Sequence, residues 1–163
     1  MKKSSIWFVV LVVVILAGLI VWSNASKKKI EEKKENMTSR EVALSCTTDM
    51  ATQFHIHPDL QIIINGKPQT IPANIGITPS CMNPLHTHDD KGTIHVEAPV
   101  QKDFTLGDFF AVWGKDFSST KLLDNVVTDK SEIVVTVNGE KVDTYENTIL
   151  RDQDKIVITY SKK

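Results

Sequence analysis

Residues Ile6 to Trp22 form an unbroken run of 17 residues without a charge, and no soluble fold leaves such a run unpaired. A helix rises about 1.5 Å per residue and needs roughly 17 to 25 residues to cross a bilayer, so this run reads as a span that Ser23 to Ala25 can lengthen. Trp7 and Trp22 stand near its ends, where amphipathic rings favour the membrane interface. A buried core helix does not fit, because the run has no polar face. Ser23-Asn24-Ala25 also has the small residues of a signal-peptidase site. Signal-peptide apolar cores are about 7 to 15 residues long, so the length favours an uncleaved anchor over residues 1–25.

Orientation draws on opposing signals. Lys27, Lys28 and Lys29 follow the span, with Lys33 and Lys34 close behind. Basic residues alone would place the C-terminal side in the cytoplasm. Two cysteines behind a signal-like segment point to the outside. Residues 26–45 read as a charged, solvated stalk that Glu–Lys pairs can make helical.

Residues 46–163 are enough for one small domain with one core. Asp59 to Ile64 is rich in β-branched residues and ends at Asn65-Gly66, a hairpin turn that returns through Lys67 to Ile71. Glu132 to Val137, Asn138-Gly139 and Glu140 to Thr144 repeat the pattern. Ile71 to Ile77 is a turn-rich crossing. Gly92 to Ala98 alternates, with Ile94 and Val96 on one face and Thr93, His95 and Glu97 on the other. Leu106, Phe109, Phe110 and Trp113 form a helical core stripe, with Thr105 as N-cap, Asp108 in the first turn and Gly114 just past the end. Tyr145 to Asp154 reads as a loop or single helical turn, and Lys155 to Tyr160 as a last strand. The fold class is α+β: an N-terminal transmembrane helix, then one mixed-sheet domain with one short helix and a β-grasp-like arrangement in its C-terminal half.

Two of the 19 basic residues, Lys2 and Lys3, precede the apolar run, and all 20 acidic residues follow it. The soluble part is therefore mildly acidic, which argues against nucleic acid as a partner. There is no Gly-rich phosphate loop and no GxSxG elbow.

All five histidines lie between His55 and His95. His55-Ile56-His57 and His86-Thr87-His88 are His-x-His pairs, and residues i and i+2 of an extended chain share a face. Two imidazoles on one face can converge on one ion about 2.0 to 2.1 Å from each nitrogen. Pro58 and Pro84 bias the flanks toward extended geometry. His95 joins them on the polar face of its strand, beside Glu97. Asp89, Asp90 and Glu97 can ligate, or accept the distal N–H of a liganding histidine. Cys46 with Met50 and Cys81 with Met82 lie just upstream of the two pairs. They read as a Cys46–Cys81 disulfide or as soft ligands favouring copper.

His55-Ile56-His57-Pro58, Ile71-Pro72-Ala73-Asn74-Ile75-Gly76, Cys81-Met82, Leu85-His86-Thr87-His88-Asp89, Gly92-Thr93-Ile94-His95-Val96-Glu97 and Phe104 to Gly114 resemble sequence blocks of an uncharacterised family of small membrane-anchored bacterial and archaeal proteins. The resemblance covers about residues 50–117. It implies one N-terminal span with the domain outside the membrane and brings no activity with it.

The residues themselves support three functions. The leading one is a membrane-anchored, extracytoplasmic metal-binding domain in which His55, His57, His86, His88 and His95 hold or deliver copper or zinc. Another is a small metal-dependent enzyme with an open three-histidine site and Glu97 or Asp89 as general base. The last is a structural or interaction domain with a pH-responsive histidine surface.

Overall fold

The computed structural model describes residues 3–48 and 52–163; Met50 lies outside them. Two compact units result, Met1–Met37 and Thr38–Lys163. The first is helix α1 (Lys3–Asn36), in which Trp7–Ile30 is, among the described residues, one helix long and apolar enough to cross a membrane. A signal sequence near the N-terminus can also meet this criterion of length and composition. Beyond the apolar run the helix continues through the charged segment, where Lys28 and Glu32 pair across one turn at 3.9 Å.

The compact domain begins at Thr38, earlier than Cys46. Helix α2 (Ser39–Ala43) belongs to it, although the charge pattern places these residues in the stalk. Thr38 and Glu41 form a capping box, and Val42 and Ala43 are buried. Arg40 reaches the carboxylate of Asp108 at 2.8 Å, a side chain 5% exposed. The short helix is thus held by one ion pair and two small apolar side chains.

The rest runs β1 (Phe54–Ile56), β2 (Asp59–Ile64), β3 (Lys67–Gln69), β4 (Leu85–His86), β5 (His95–Ala98), α3 (Leu106–Trp113), β6 (Phe117–Ser118), β7 (Lys121–Leu122), β8 (Asn125–Val126), β9 (Ser131–Val137), β10 (Glu140–Val142), a 3-10 turn at Tyr145–Asn147, and β11 (Lys155–Lys162). A five-stranded mixed sheet has the order β10-β9-β11-β2-β3, with β11 and β2 parallel. Both hairpins form at their Asn-Gly turns. Asn65 and Gly66 have φ of 50° and 78°, and Asn138 and Gly139 have 54° and 86°, the left-handed values that a two-residue primed turn requires. Leu60, Ile62, Ile133, Val135, Ile156 and Ile158 alternate onto the buried face. The fold is α+β with a mixed sheet, as its elements imply. The sheet is not confined to the C-terminal half, however. Its β2–β3 hairpin comes from the N-terminal half, because the last strand β11 inserts beside β2 and joins the two hairpins.

Helix α3 starts at the Thr105/Asp108 capping box and stops at Gly114 in the left-handed region, with φ of 69°. Leu106, Phe109 and Phe110 are buried. A second sheet, β1-β5-β4, is antiparallel throughout, and β6-β7-β8 form a small meander.

Cys46 and Cys81 form a disulfide, which removes soft sulfur ligation by either cysteine. Beside it, Thr47 and Met82 exchange both backbone hydrogen bonds at 3.0 Å, so the segment after α2 is tied to the chain entering β4. The cysteines are 35 residues apart, and closing a loop of that length in the unfolded chain is worth roughly 3 to 4 kcal/mol. A Cys46→Ser/Cys81→Ser variant is expected to lose about that much in denaturant unfolding of the domain. An unchanged midpoint would mean that this cross-link restricts the unfolded chain little.

Candidate metal centre

Strand β5 is the middle of the β1-β5-β4 sheet, and its alternation separates core from site. On one face Val96 lies opposite Ile56 of β1 and Leu85 of β4, and all three are buried. On the other face His95 lies opposite His86, and Glu97 lies opposite His55. Directly opposed residues of an antiparallel pair have Cβ atoms about 5 Å apart. Three short strands therefore bring four chemically active side chains onto one face. His57 and His88 follow two residues after His55 and His86, just beyond the strand ends.

Backbone ties set where those ends go. Thr87 carries the bonds between the second histidine pair and the Ile71–Ile77 crossing. Its N–H donates to Ile75 O at 3.1 Å, its carbonyl accepts from Asn74, and its hydroxyl donates to Pro72 O at 2.8 Å. At the other pair, Leu60 N–H donates to Gly92 O and Ile94 N–H to Pro58 O. Gly92 has φ of 92°, and a Cβ there would run into the Leu60 carbonyl. The corner after His57 is thereby fixed against the chain that enters His95.

The five rings form one cluster with His95 in the middle. Ring centres lie 4.5 Å from His95 to His88, 4.8 Å to His57 and 5.5 Å to His86. His55 and His57 are 4.4 Å apart, and His86 and His88 are 4.8 Å apart. Two groups have ligand atoms within 4.8 Å of one another: His86, His88, His95 and Glu97, and His55, His57 and His95. His95 belongs to both.

Exposure differs across the cluster, and His88 is exposed. The side chains of His55 and His57 are 48% and 41% exposed, those of His95 and Glu97 are 24% and 20%, and His86 is fully buried. Nδ1 of His86 lies 3.0 Å from the carbonyl of Asn83, which can only accept. Nδ1 therefore carries the hydrogen, and the neutral ring turns the lone pair of Nε2 toward Nε2 of His88, 3.2 Å away. Two imidazole nitrogens bound tetrahedrally to one ion sit about 3.3 Å apart at the usual zinc–nitrogen distance. The donor set could hold a metal ion in position, and His86 has the tautomer that ligation needs, with Asn83 orienting that buried ring, whereas His88 would first have to move its hydrogen from Nε2 to Nδ1.

Charge supports the same reading. Burial pushes the His86 pKa down to about 4, against the raising effects of the Asn83 carbonyl and of Glu97. His95 is also lowered, first by burial and then by His88 and His57. Both rings are neutral near pH 7, as ligation requires. Glu97 is the one carboxylate in the two groups among the described residues.

The other carboxylates named from sequence are not members of these two groups. Asp89 accepts from Lys91 N–H at 3.0 Å, and Lys91 Nζ lies 3.4 Å from it, so a local turn engages this group. Asp90 is exposed, beside Gly92 and Thr93 on the wall of a surface cleft that also includes Asp59. Met82 pairs through its backbone with Thr47 and Ile77. The structure adds Asp152, which sequence reading missed. It accepts the His57 N–H at 2.9 Å and lies 3.9 Å from Nδ1 of that ring. Nothing local signals this contact, which spans 95 residues.

Comparison with known protein families, with curated proteins and with solved structures finds no match for this chain. The chemistry of the site is read from its own geometry.

The buried neutral His86 has a measurable consequence. Its folded pKa lies below the unfolded value of 6.5, so as pH falls the unfolded chain takes up a proton that the folded chain refuses. Its contribution is present in full above pH 6.5 and is lost as pH falls toward 4. The metal-free protein is expected to lose roughly 3 kcal/mol over that window from this group. Urea unfolding of parent and His86→Gln at pH 7 and pH 4.5 checks it: the parent should lose stability more steeply. Parallel losses would place the titration elsewhere, with His88, His95 and Glu97 as the facing groups.

Proposed function

We propose that this chain is a single-pass membrane protein whose Thr38–Lys163 domain lies outside the cytoplasm and holds or delivers one transition-metal ion, copper or zinc, at the cell surface. The observation that carries the proposal is the convergence of His86, His88, His95 and Glu97, with the His86 and His88 nitrogens 3.2 Å apart. Three imidazoles and one carboxylate suit zinc, and imidazole-rich sets also suit copper. The outside location is supported by the Cys46–Cys81 disulfide, which belongs to an oxidising compartment, and by the apolar helix ahead of it. It also agrees with the location implied by the resemblance to the membrane-anchored family. Catalysis by an open three-histidine site is less well supported. Glu97 stands among the ligands rather than apart as a base, and Asp89 is engaged by Lys91.

Full-length protein purified in detergent without a His tag, from cells given copper and zinc, tests the metal. One equivalent of either is expected by elemental analysis. A His88→Ala/His95→Ala variant should retain less than a tenth of it. Added metal should raise the unfolding midpoint of the parent, by about 2.7 kcal/mol of stabilisation when free metal is 100 times its dissociation constant, and leave the variant unmoved. A parent that is metal-free and insensitive to both ions would overturn the reading.

Protease treatment of intact cells tests the orientation. Cleavage near the exposed Lys27–Lys29 segment, releasing the domain without lysis, is the expected result. Protection until lysis would place the domain inside.

A further inference from the structure

The two ligand groups overlap in a way that a plain storage site does not need. Four ligands already complete a tetrahedral set in the group that contains the buried His86, yet His55 and His57 stand beside it and share His95 with it. We infer that the cluster is a two-position relay for one ion, in which His55, His57 and His95 receive the metal and His86, His88, His95 and Glu97 hold it. The inference rests on the metal-binding reading above.

Geometry gives the direction. The receiving pair is about half exposed and the shared His95 about a quarter; in the holding set His88 is exposed and His86 is fully buried. An ion coming from solvent therefore meets His55 and His57 before the buried His86. The buried ligand is the pre-oriented one, since the Asn83 carbonyl fixes the tautomer of His86. Glu97 joins the two groups, with Oε1 3.2 Å from Nε2 of His55 and 3.9 Å from Nδ1 of His95. The holding position therefore has the carboxylate in its ligand set and the better-fixed imidazole. Both groups draw on His95, so they act as alternative positions for one ion.

Movement between them is ligand substitution without redox change. His95 stays bound throughout. The nitrogen lone pairs of His55 and His57 leave the ion as those of His86 and His88 arrive, and Glu97 completes the set. His88 gives up its Nε2 hydrogen to solvent and takes one at Nδ1, so the neutral ring gains and loses no net proton. The ion is never without protein ligands, which is why a shared histidine lowers the barrier to passage. The same path serves release to an acceptor on the exposed side.

A relay predicts a kinetic signature. Apo full-length protein in detergent would be offered zinc(II) or copper(II) from a fluorescent chelator, and the reverse transfer followed with excess chelator. His55→Ala/His57→Ala is expected to slow uptake and release by the same factor, roughly tenfold or more, while the dissociation constant changes less than about threefold. His88→Ala, at an exposed position, is expected to weaken equilibrium binding by roughly 100-fold, with fast exchange retained. Near-ultraviolet circular dichroism would confirm that both variants keep the parent fold. Unchanged rates in His55→Ala/His57→Ala would overturn the relay and leave the holding site standing. So would a loss of affinity there as large as in His88→Ala, which would make the cluster a single site. A parent that takes up neither metal would overturn the relay together with the metal reading beneath it.

Discussion

Strand β5 is paired on both sides, and the histidine cluster depends on that. A strand at an edge would present His95 and Glu97 to solvent with one neighbour at most. With β1 on one side and β4 on the other, each polar residue of β5 faces an imidazole across a ladder. The same pairing buries Ile56, Leu85 and Val96 on the opposite face. Apolar burial is thus the force that holds the site together, since register cannot slip by one residue without turning Val96 out and His95 in.

The ties around this sheet restrict it further. The disulfide and the Thr47–Met82 bridge fix the chain before β4, Thr87 fixes the chain after it, and Gly92 lets the loop before β5 lie against β2. The glycine is needed there because any side chain would meet the Leu60 carbonyl. A buried imidazole with its tautomer set by a carbonyl is costly to protonate and needs little rearrangement to ligate. That combination keeps the deep position neutral and able to hold a metal ion, while the half-exposed His55 and His57 stay accessible. Stability and site are therefore coupled: what packs the three-stranded sheet also orients its ligands.

Much of this was legible locally. The Asn-Gly turns were readable because their residues tolerate left-handed backbone, and both hairpins form on them. Helix α3 was readable from its cap, its stripe and its terminal glycine. The histidines were readable as one set because i and i+2 residues share a face wherever the chain is extended. Other features had no local signal. Arg40 sits in a sequence rich in charge, and its contact with the buried Asp108 had no local signal, although the Thr38/Glu41 capping box of helix α2 did. Asp152 comes to His57 from the far end of the chain. Asp89 and Asp90 were legible only as followers of a histidine pair, and the turn hydrogen bond that Asp89 accepts from Lys91 emerged with the structure.

By itself the sequence determined the apolar helix, the alternation of each strand, the turns and the identity of every donor, because these are set by residue type at short range. Only the tertiary structure decided which donors meet. The order β1-β5-β4, the disulfide, the insertion of β11 beside β2 and the burial of His86 all depend on contacts between residues far apart in the chain. Those contacts are chosen by the joint burial of apolar faces. No spacing along the chain records which strand will lie beside which, and so none could show that His95 would stand between the two pairs.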